Sequence, residues 1–419
     1  MHMGEDGGLS DGRPSVVASA PTSDRTLGTP PLAISRLGFG AWGLAARDWD
    51  ARVDANAALR AIERALDLGI TLFDTAPSYG SGESETLLGR VVGGRSGAAR
   101  RDRMLLATKC GPYDDPRTSL EASLRRLRSD RVELFQLHEI PTESGAMERQ
   151  LERMHALMER GLARAIGVCN ATSRELSRAL TVVPVASYQG PYNLLDRDAE
   201  HDAFACAHSH GIAALAYRPL ASGMLTGKYT TPPHFAATDH RSRIHWFRGR
   251  EFARRHAVVD ALRPIARAQG LTVTQLALAW ALCRPGVTAV LAGARTEAQV
   301  DENAKAARVS LSVDVMTAID AAVDRVYAPR ALRRDVEVAD SADATGDVMV
   351  RMCDRGIVRT LVVGEREAYV MRRLDGRTPY ACIAAEWEST DGTRLLAAQV
   401  VLLADQLADL GLLEDVRDA

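Results

Sequence analysis

Short apolar runs return at near-regular intervals along most of this chain, and that rhythm restricts its fold more than any other feature. They are Leu37–Ala41, Ile70–Phe73, Met104–Thr108, Val132–Leu137, Ala165–Val168, Val185–Gln189, Ile212–Ala216 and Val287–Ala292. Runs this short read as buried strands. Amphipathic segments of roughly 10–15 residues separate most of them. Asn56–Leu68 is one, with apolar residues three or four apart and Gly69 placed to end the helix. Eight strands alternating with helices predict an α/β chain whose parallel sheet closes into a TIM (β/α)8 barrel, with an open doubly wound sheet as the alternative.

At 419 residues the chain exceeds what one core usually supports. The expected partition is a disordered leader over 1–26, a barrel over 27–330, and a small winged-helix-like α+β domain over 340–419. A net charge of −2 excludes an electrostatic nucleic-acid binder. No apolar stretch reaches the roughly 18 residues that would span a membrane, and the first 26 residues have no apolar core of a signal peptide. Six cysteines, at 110, 169, 206, 283, 353 and 382, form no Cys-x-x-Cys pair. A cytoplasmic chain with reduced thiols is expected. His201, Cys206, His208 and His210 are spaced to spread around a helix, so no metal is expected.

Of the 52 basic residues, only Lys109, Lys228 and Lys305 are lysine. Lys109 ends the run Met104–Thr108, where an arginine would stay charged at any working pH. A lysine's pKa can be moved by burial and neighbours. Upstream lies Asp74-Thr75-Ala76-Pro77-Ser78-Tyr79-Gly80, and downstream Leu137-His138. Asp74, Tyr79, Lys109 and His138 therefore stand at the ends of three apolar runs. Reducing a carbonyl needs a hydride on carbon and a proton on oxygen. A free tyrosine, with a pKa of about 10, is a poor acid at neutral pH. A buried ammonium beside it stabilises tyrosinate and should pull that value down. Asp74 supplies the counter-charge, and His138 can donate to the carbonyl or relay a proton. A lone tyrosine or histidine after a strand is ordinarily structural; the set as a whole points to chemistry.

Residues about 30–328 resemble the aldo-keto reductase superfamily through Asp74-Thr-Ala-x-x-Tyr79-Gly, the strand-end Lys109 and Leu137-His138. The resemblance implies a barrel that binds NADPH/NADP without a Rossmann domain. It also implies Tyr79 as the acid, Lys109 and Asp74 as its tuners, and His138 as the group that orients substrate. Gly167-Val168-Cys169-Asn170 is similar to the family's Gly-Val-Ser-Asn, which with Gln189 would hold the nicotinamide carboxamide. The thiol of Cys169 is a weaker hydrogen-bond partner than serine's hydroxyl. Tyr217, in Ala216-Tyr217-Arg218-Pro219-Leu220, sits where the family stacks a ring on the nicotinamide. Arg218 and Leu220 would adjoin the cofactor, and Gly223, Leu225, Gly227 and Lys228 would cover the pyrophosphate.

Gly293-Ala294-Arg295-Thr296, with Gln299, Glu302 and Asn303, resembles the family's adenosine-phosphate site. Thr296 would cap a helix facing an anion, and Arg295 would take the 2′-phosphate and favour NADPH over NADH. Trp42, Trp49, Tyr113 and Trp246 are expected in the substrate pocket, with Asp48 beside Trp49. The Pro- and Gly-bearing segment 219–255 is long enough to be a lid over the catalytic face.

From residue 331 onward 11 arginines stand against 17 acidic residues, a net of −6 that opposes DNA binding. Val348–Met352 and Ile357–Val363 read as a hairpin, followed by helices over Ala368–Leu374, Tyr380–Glu388 and Leu395–Leu410, the last closed by Gly411. This order, with Leu374-Asp375-Gly376-Arg377-Thr378, is similar to the winged-helix peptide-recognition domains of peptide natural-product pathways. It implies a leader peptide bound by residues 340–419 and a peptide-borne substrate. A packing or dimerisation appendage is the alternative. The functional expectation is an NADPH-dependent oxidoreductase acting on a small-molecule carbonyl or a tethered peptide. The alternative is a cofactor-binding regulatory barrel with little turnover.

Overall fold

The computed structural model describes residues 25–45, 49, 54–93, 97–327, 336–339, 347–354, 357–391, 393, 395–410 and 412–413. Asp48 and Gly411 lie outside them, as does the expected leader up to residue 24. The barrel-side strands are β1 (Arg25–Leu27), β2 (Leu32–Ile34), β3 (Leu37–Gly40), β4 (Leu72–Asp74), β5 (Leu105–Cys110), β6 (Val132–Leu137), β7 (Ala163–Cys169), β8 (Val185–Pro191), β9 (Ala213–Tyr217) and β10 (Ala289–Ala292). β3 to β10 are parallel and close in chain order, β10 returning to pair with β3. Each of the eight expected strands is one of these. Gly38, Gly40 and Gly43 spell a dinucleotide fingerprint spacing, but Gly38 and Gly40 lie within β3 and not in a strand-to-helix turn.

The helices pack outside as their spacing requires. Asp54 caps Ala55–Asp67 by accepting from Asn56 N, and the helix buries Ala58, Ala61, Ile62, Ala65 and Leu66, positions three or four apart. Gly69 follows with φ of 83°, the left-handed conformation that stops it. Inside the barrel, alternation of period two sets the layers. Leu72, Ala107, Leu134, Ala165, Leu215 and Leu291 form an apolar lower layer. Two residues further along β4, β5 and β6 stand Asp74, Lys109 and Gln136, all buried. The β1–β2 hairpin closes the lower end, with Leu27 and Ile34 packed into that layer. Arg25 and Thr26, expected in the leader, instead pair with Ile34 and Ala33 because Leu27 has a core to fill.

After the barrel come β11 (Val336–Val338), β12 (Asp347–Asp354) and β13 (Ile357–Gly364), an antiparallel sheet in that order. Helices Glu365–Arg373, Tyr380–Asp391 and Ala397–Asp409 follow. The expected hairpin is β12–β13; the three-residue β11 was not expected. This unit has its own core, including Val350, Ile383, Trp387, Val400 and Leu407. It meets the barrel along helix Gly249–Ala268, where Arg254 pairs with Asp405 and Arg250 with Asp409. Ala397 N also donates to Asp198 Oδ2 at 3.2 Å.

Candidate active site

The polar layer at the upper end of the barrel is one connected network. Lys109, fully buried, donates from Nζ to Asp74 Oδ1 at 2.6 Å, to Thr75 O at 2.9 Å and to Tyr79 Oη at 3.2 Å. Asp74 Oδ2 accepts from Gln189 Nε2 at 2.9 Å and Gln136 Nε2 at 3.2 Å. Each charge is thus paired and hydrogen-bonded, the condition under which a buried ion pair survives. β5 is pinned beside the pair, because Thr108 Oγ1 and Arg126 Nε both donate to the buried Glu85 at 2.6 Å. Tyr79 is aimed inward by a tight turn in which Gly80 and Gly82 take φ of 59° and 90°. A Cβ on Gly80 would come within 2.9 Å of Ala45 Cβ, so the turn requires glycine there.

The Tyr79 ring stands 5.9 Å from that of His138 and 5.9 Å from that of Trp42. Burial pushes the phenol up to about 12, although the Lys109 charge pulls the other way. The sequence led us to expect a lowered value; desolvation of the phenolate outweighs the ammonium. Burial alone would lower Lys109, but Asp74 and then Tyr79 hold it above the usual lysine value. Burial, then the Lys109 charge, pulls His138 down to about 4, so its ring is neutral at working pH.

A cavity of about 480 Å³ runs from this network across the upper face. Asp74, Tyr79, Trp42, Trp49, Tyr217 and Arg218 line one end. Gly293, Arg295, Gln299, Glu302, Asn303, Gly223, Leu220, Lys228 and Arg241 line the rest. Thr296 caps helix Glu297–Ala306 by accepting from Gln299 N, and Gln299 Oε1 accepts from Arg295 N at 2.8 Å. Asn303 Nδ2 donates to Gly293 O, and Glu302 accepts from Thr272 Oγ1. Lys228, Arg241 and Arg295 crowd together: burial and then Arg241 hold both Lys228 and Arg295 below their ordinary values. A cavity wall that concentrates positive charge in this way favours an anion.

Tyr217 Oη donates to Asn170 Oδ1 at 2.8 Å, and Asn170 Nδ2 donates to His138 O and to Glu139. Cys169 Sγ lies 3.7 Å from Gln136 Oε1, and burial pushes its thiol up. Other expected residues are placed away from the cavity lining. Leu225 is buried in the main core, and Gly227 closes the turn Ala221–Thr226 while its carbonyl accepts from Arg263. Tyr113 is 60% exposed and bridges to Thr142. Trp246 packs under the Arg255 guanidinium at 4.5 Å. The segment after β9 does fold over the upper face, where His240 packs on Trp42 and Trp49 at 4.5 and 4.2 Å. Gln136 and Arg241 were missed. A glutamine among the apolar residues at the end of a strand was a readable signal; Arg241 was hidden among the many arginines.

The sequence matches the model of the Aldo/keto reductase family over residues 36–324. The chain belongs to this family. An aldo-keto reductase of Bacillus subtilis is 34% identical over 281 residues, covering 64% of this chain and 83% of that protein. Among solved structures, a glycerol dehydrogenase from Gluconobacter oxydans has a TM-score of 0.65 at 30% identity, covering 73% of this chain and 96% of its own. A Klebsiella pneumoniae aldo-keto reductase in complex with NADPH has a TM-score of 0.56 at 25% identity, covering 72% and 95%. The family match ends before β11, so the C-terminal unit lies beyond it. Among the described residues no helix is long and apolar enough to cross a membrane, and no group of His, Cys, Asp or Glu could hold a metal.

Proposed function

We propose that the protein is an NADPH-dependent reductase of aldehydes or ketones, with Tyr79 as the proton donor. The observation that carries this is Lys109 Nζ joining Asp74 Oδ1 and Tyr79 Oη at the wall of a cavity that is also lined by Lys228, Arg241 and Arg295. The donor set fits the cofactor. Lys228 and Arg241 suit a pyrophosphate, while Arg295 and the Thr296-capped helix N-terminus suit a 2′-phosphate. Tyr217, Asn170 and Gln189 would border the nicotinamide, which supplies the hydride when bound. Tyr79 holds its proton across the working range and releases it to the carbonyl oxygen. Lys109 stabilises the phenolate left behind, and Asp74 keeps that ammonium charged and in place. Neutral His138 donates a hydrogen bond to the same oxygen and fixes its direction.

The C-terminal unit adds recruitment to this reading. β13 pairs only with β12 among the described residues, and it exposes Leu361 by 36% and Val362 by 56%. An unpaired apolar edge of this kind accepts an added peptide strand. A leader peptide held there would carry the reducible group to the barrel.

The test is NADPH oxidation against a panel of small aldehydes, with NADH in parallel. We expect turnover preferring NADPH, its loss in Tyr79→Phe with cofactor affinity retained, and a reduced NADPH preference in Arg295→Leu. Cofactor binding without turnover on any aldehyde would overturn the small-carbonyl reading in favour of a regulatory barrel. Recruitment fails if candidate precursor peptides bind the full chain no better than they bind the Leu361→Lys variant.

A further inference from the structure

Arg218, set beside the cofactor by the family resemblance, has a charge to which the proposed proton and hydride transfer gives no role. It lines the cavity together with Trp42, Tyr79 and Tyr217. Its guanidinium stands 5.8 Å from the ring centres of both Trp42 and Tyr217. Trp42 is itself in ring contact with Tyr79 at 5.9 Å. Arg218 thus lies one ring away from the proton donor. The cationic cluster of Lys228, Arg241 and Arg295 is built from other elements.

Its hydrogen bonding is incomplete. Nε is buried and has no partner, and among the described residues no carboxylate forms an ion pair with this guanidinium. Glu139 feels the Arg218 charge, but its carboxylate is engaged by Asn170 Nδ2 at 3.0 Å. A buried charged donor left without an acceptor is costly. An anion bound at the guanidinium would offset that cost. The backbone supports the same conclusion: Arg218 holds φ of 53°, a left-handed conformation uncommon for a residue with a Cβ. Its carbonyl is tied there by Asn193 Nδ2 at 3.1 Å and Ala221 N at 2.9 Å. Such backbone strain persists where the surroundings fix a side chain for a purpose.

We infer that Arg218 is a specificity-determining residue that binds an anionic group, a carboxylate or a phosphate monoester, on the substrate a few atoms from its carbonyl. This rests on the reductase reading and deepens it: the preferred substrates are short aldehydes or ketones that carry a negative charge. The two nearby ring faces suit the flat guanidinium, which presents paired donors to either anion. The mouth would accept neutral carbonyls too, without that contact.

The experiment compares kcat and KM for succinic semialdehyde against butyraldehyde, and for glyceraldehyde 3-phosphate against glyceraldehyde, in the wild type and in Arg218→Met and Arg218→Lys. A charge-assisted contact predicts that the wild type prefers the anionic member of at least one pair by about 10- to 100-fold in kcat/KM, carried mainly by KM. Which pair shows it separates carboxylate from phosphate. Arg218→Met should erase the preference for the anionic member, and Arg218→Lys should restore part of it. Absence of a preference in the wild type, or its survival in Arg218→Met, overturns the inference. So does a loss of NADPH affinity in Arg218→Met as large as the loss on the anionic aldehyde, since Arg218 would then serve the cofactor. Calorimetric titration of the NADP-loaded protein with succinate and with inorganic phosphate separates the two levels of the argument. Binding lost in Arg218→Met without turnover on any aldehyde would refute the reductase and leave the anion site standing. No binding and no turnover would refute both.

Discussion

Replacing Lys109 with methionine removes the central cation of the barrel and tests whether the buried pair, and not apolar packing alone, holds the upper layer together. Methionine keeps much of the stem's volume and deletes three hydrogen bonds, to Asp74, Thr75 and Tyr79. Asp74, only 3% exposed, is left with the two amides of Gln136 and Gln189. Breaking a buried pair by deleting one partner costs about 3–5 kcal/mol, most of it the penalty of an uncompensated charge. We therefore expect Lys109→Met to lose about 4 kcal/mol in urea unfolding. Asp74→Asn combined with Lys109→Met removes the orphaned charge and should recover more than half of that loss. Reduction should remain lost by about 100-fold or more in both, since neither has an ammonium to stabilise the phenolate. The contrast between recovered stability and unrecovered turnover is the signature. A single variant within about 0.5 kcal/mol of the wild type, or a double variant no more stable than the single, would refute the reasoning.

Two further outcomes follow from the same coordinates. Burial and the Lys109 charge pull His138 down to about 4 from the ordinary 6.5, so its contribution is fully present above the unfolded value and lost as pH falls toward 4. Stability should drop by up to about 3 kcal/mol over that window, and His138→Asn should flatten the drop in unfolding measured from pH 7 to 4. Gly89, in helix Glu83–Val92, has no room for a side chain, because an added Cβ would lie 2.0 Å from the Arg126 carbonyl oxygen. Gly89→Ala should cost about 1–3 kcal/mol by forcing two helices apart, read as a lower thermal midpoint with the neutral-aldehyde KM unchanged.

The barrel was legible because both of its periodicities survive in the sequence. Strand runs of the right length alternate with helical faces such as Ala58, Ala61, Ile62 and Ala65. Lys109 was legible for a compositional reason: in a chain with so few lysines, one at a strand end stands out. The same composition concealed Arg241, whose role near the cavity depends on a loop path that no periodicity encodes. Gln136 was read as part of an apolar run, although its amide touches Asp74. Tyr79 shows a different gap. Its charged neighbour could be foreseen, but the extent of its burial could not, and burial decides the direction of its pKa. Trp246 and Tyr113 were expected in the substrate pocket. One instead packs under Arg255, and the other stands on the surface.

Helix Gly249–Ala268 is a beam shared by two structures: the segment that covers the cavity ends at its first turn, and the C-terminal unit rests on its side. The two fastenings are unequal. Arg250 and Asp409 are 65% and 54% exposed, whereas Arg254 and Asp405 are 18% and 15% exposed. An exposed pair contributes at most about 1 kcal/mol, and a partly buried pair is screened less and contributes more. Phe247 and Phe252, buried in the main core, fix the start of this helix from the barrel side, and the Arg254–Asp405 pair ties its next turn to the C-terminal unit. One helix thus anchors the cavity cover at its start and the appended unit along its side, so a substitution that shifts this helix is felt by both.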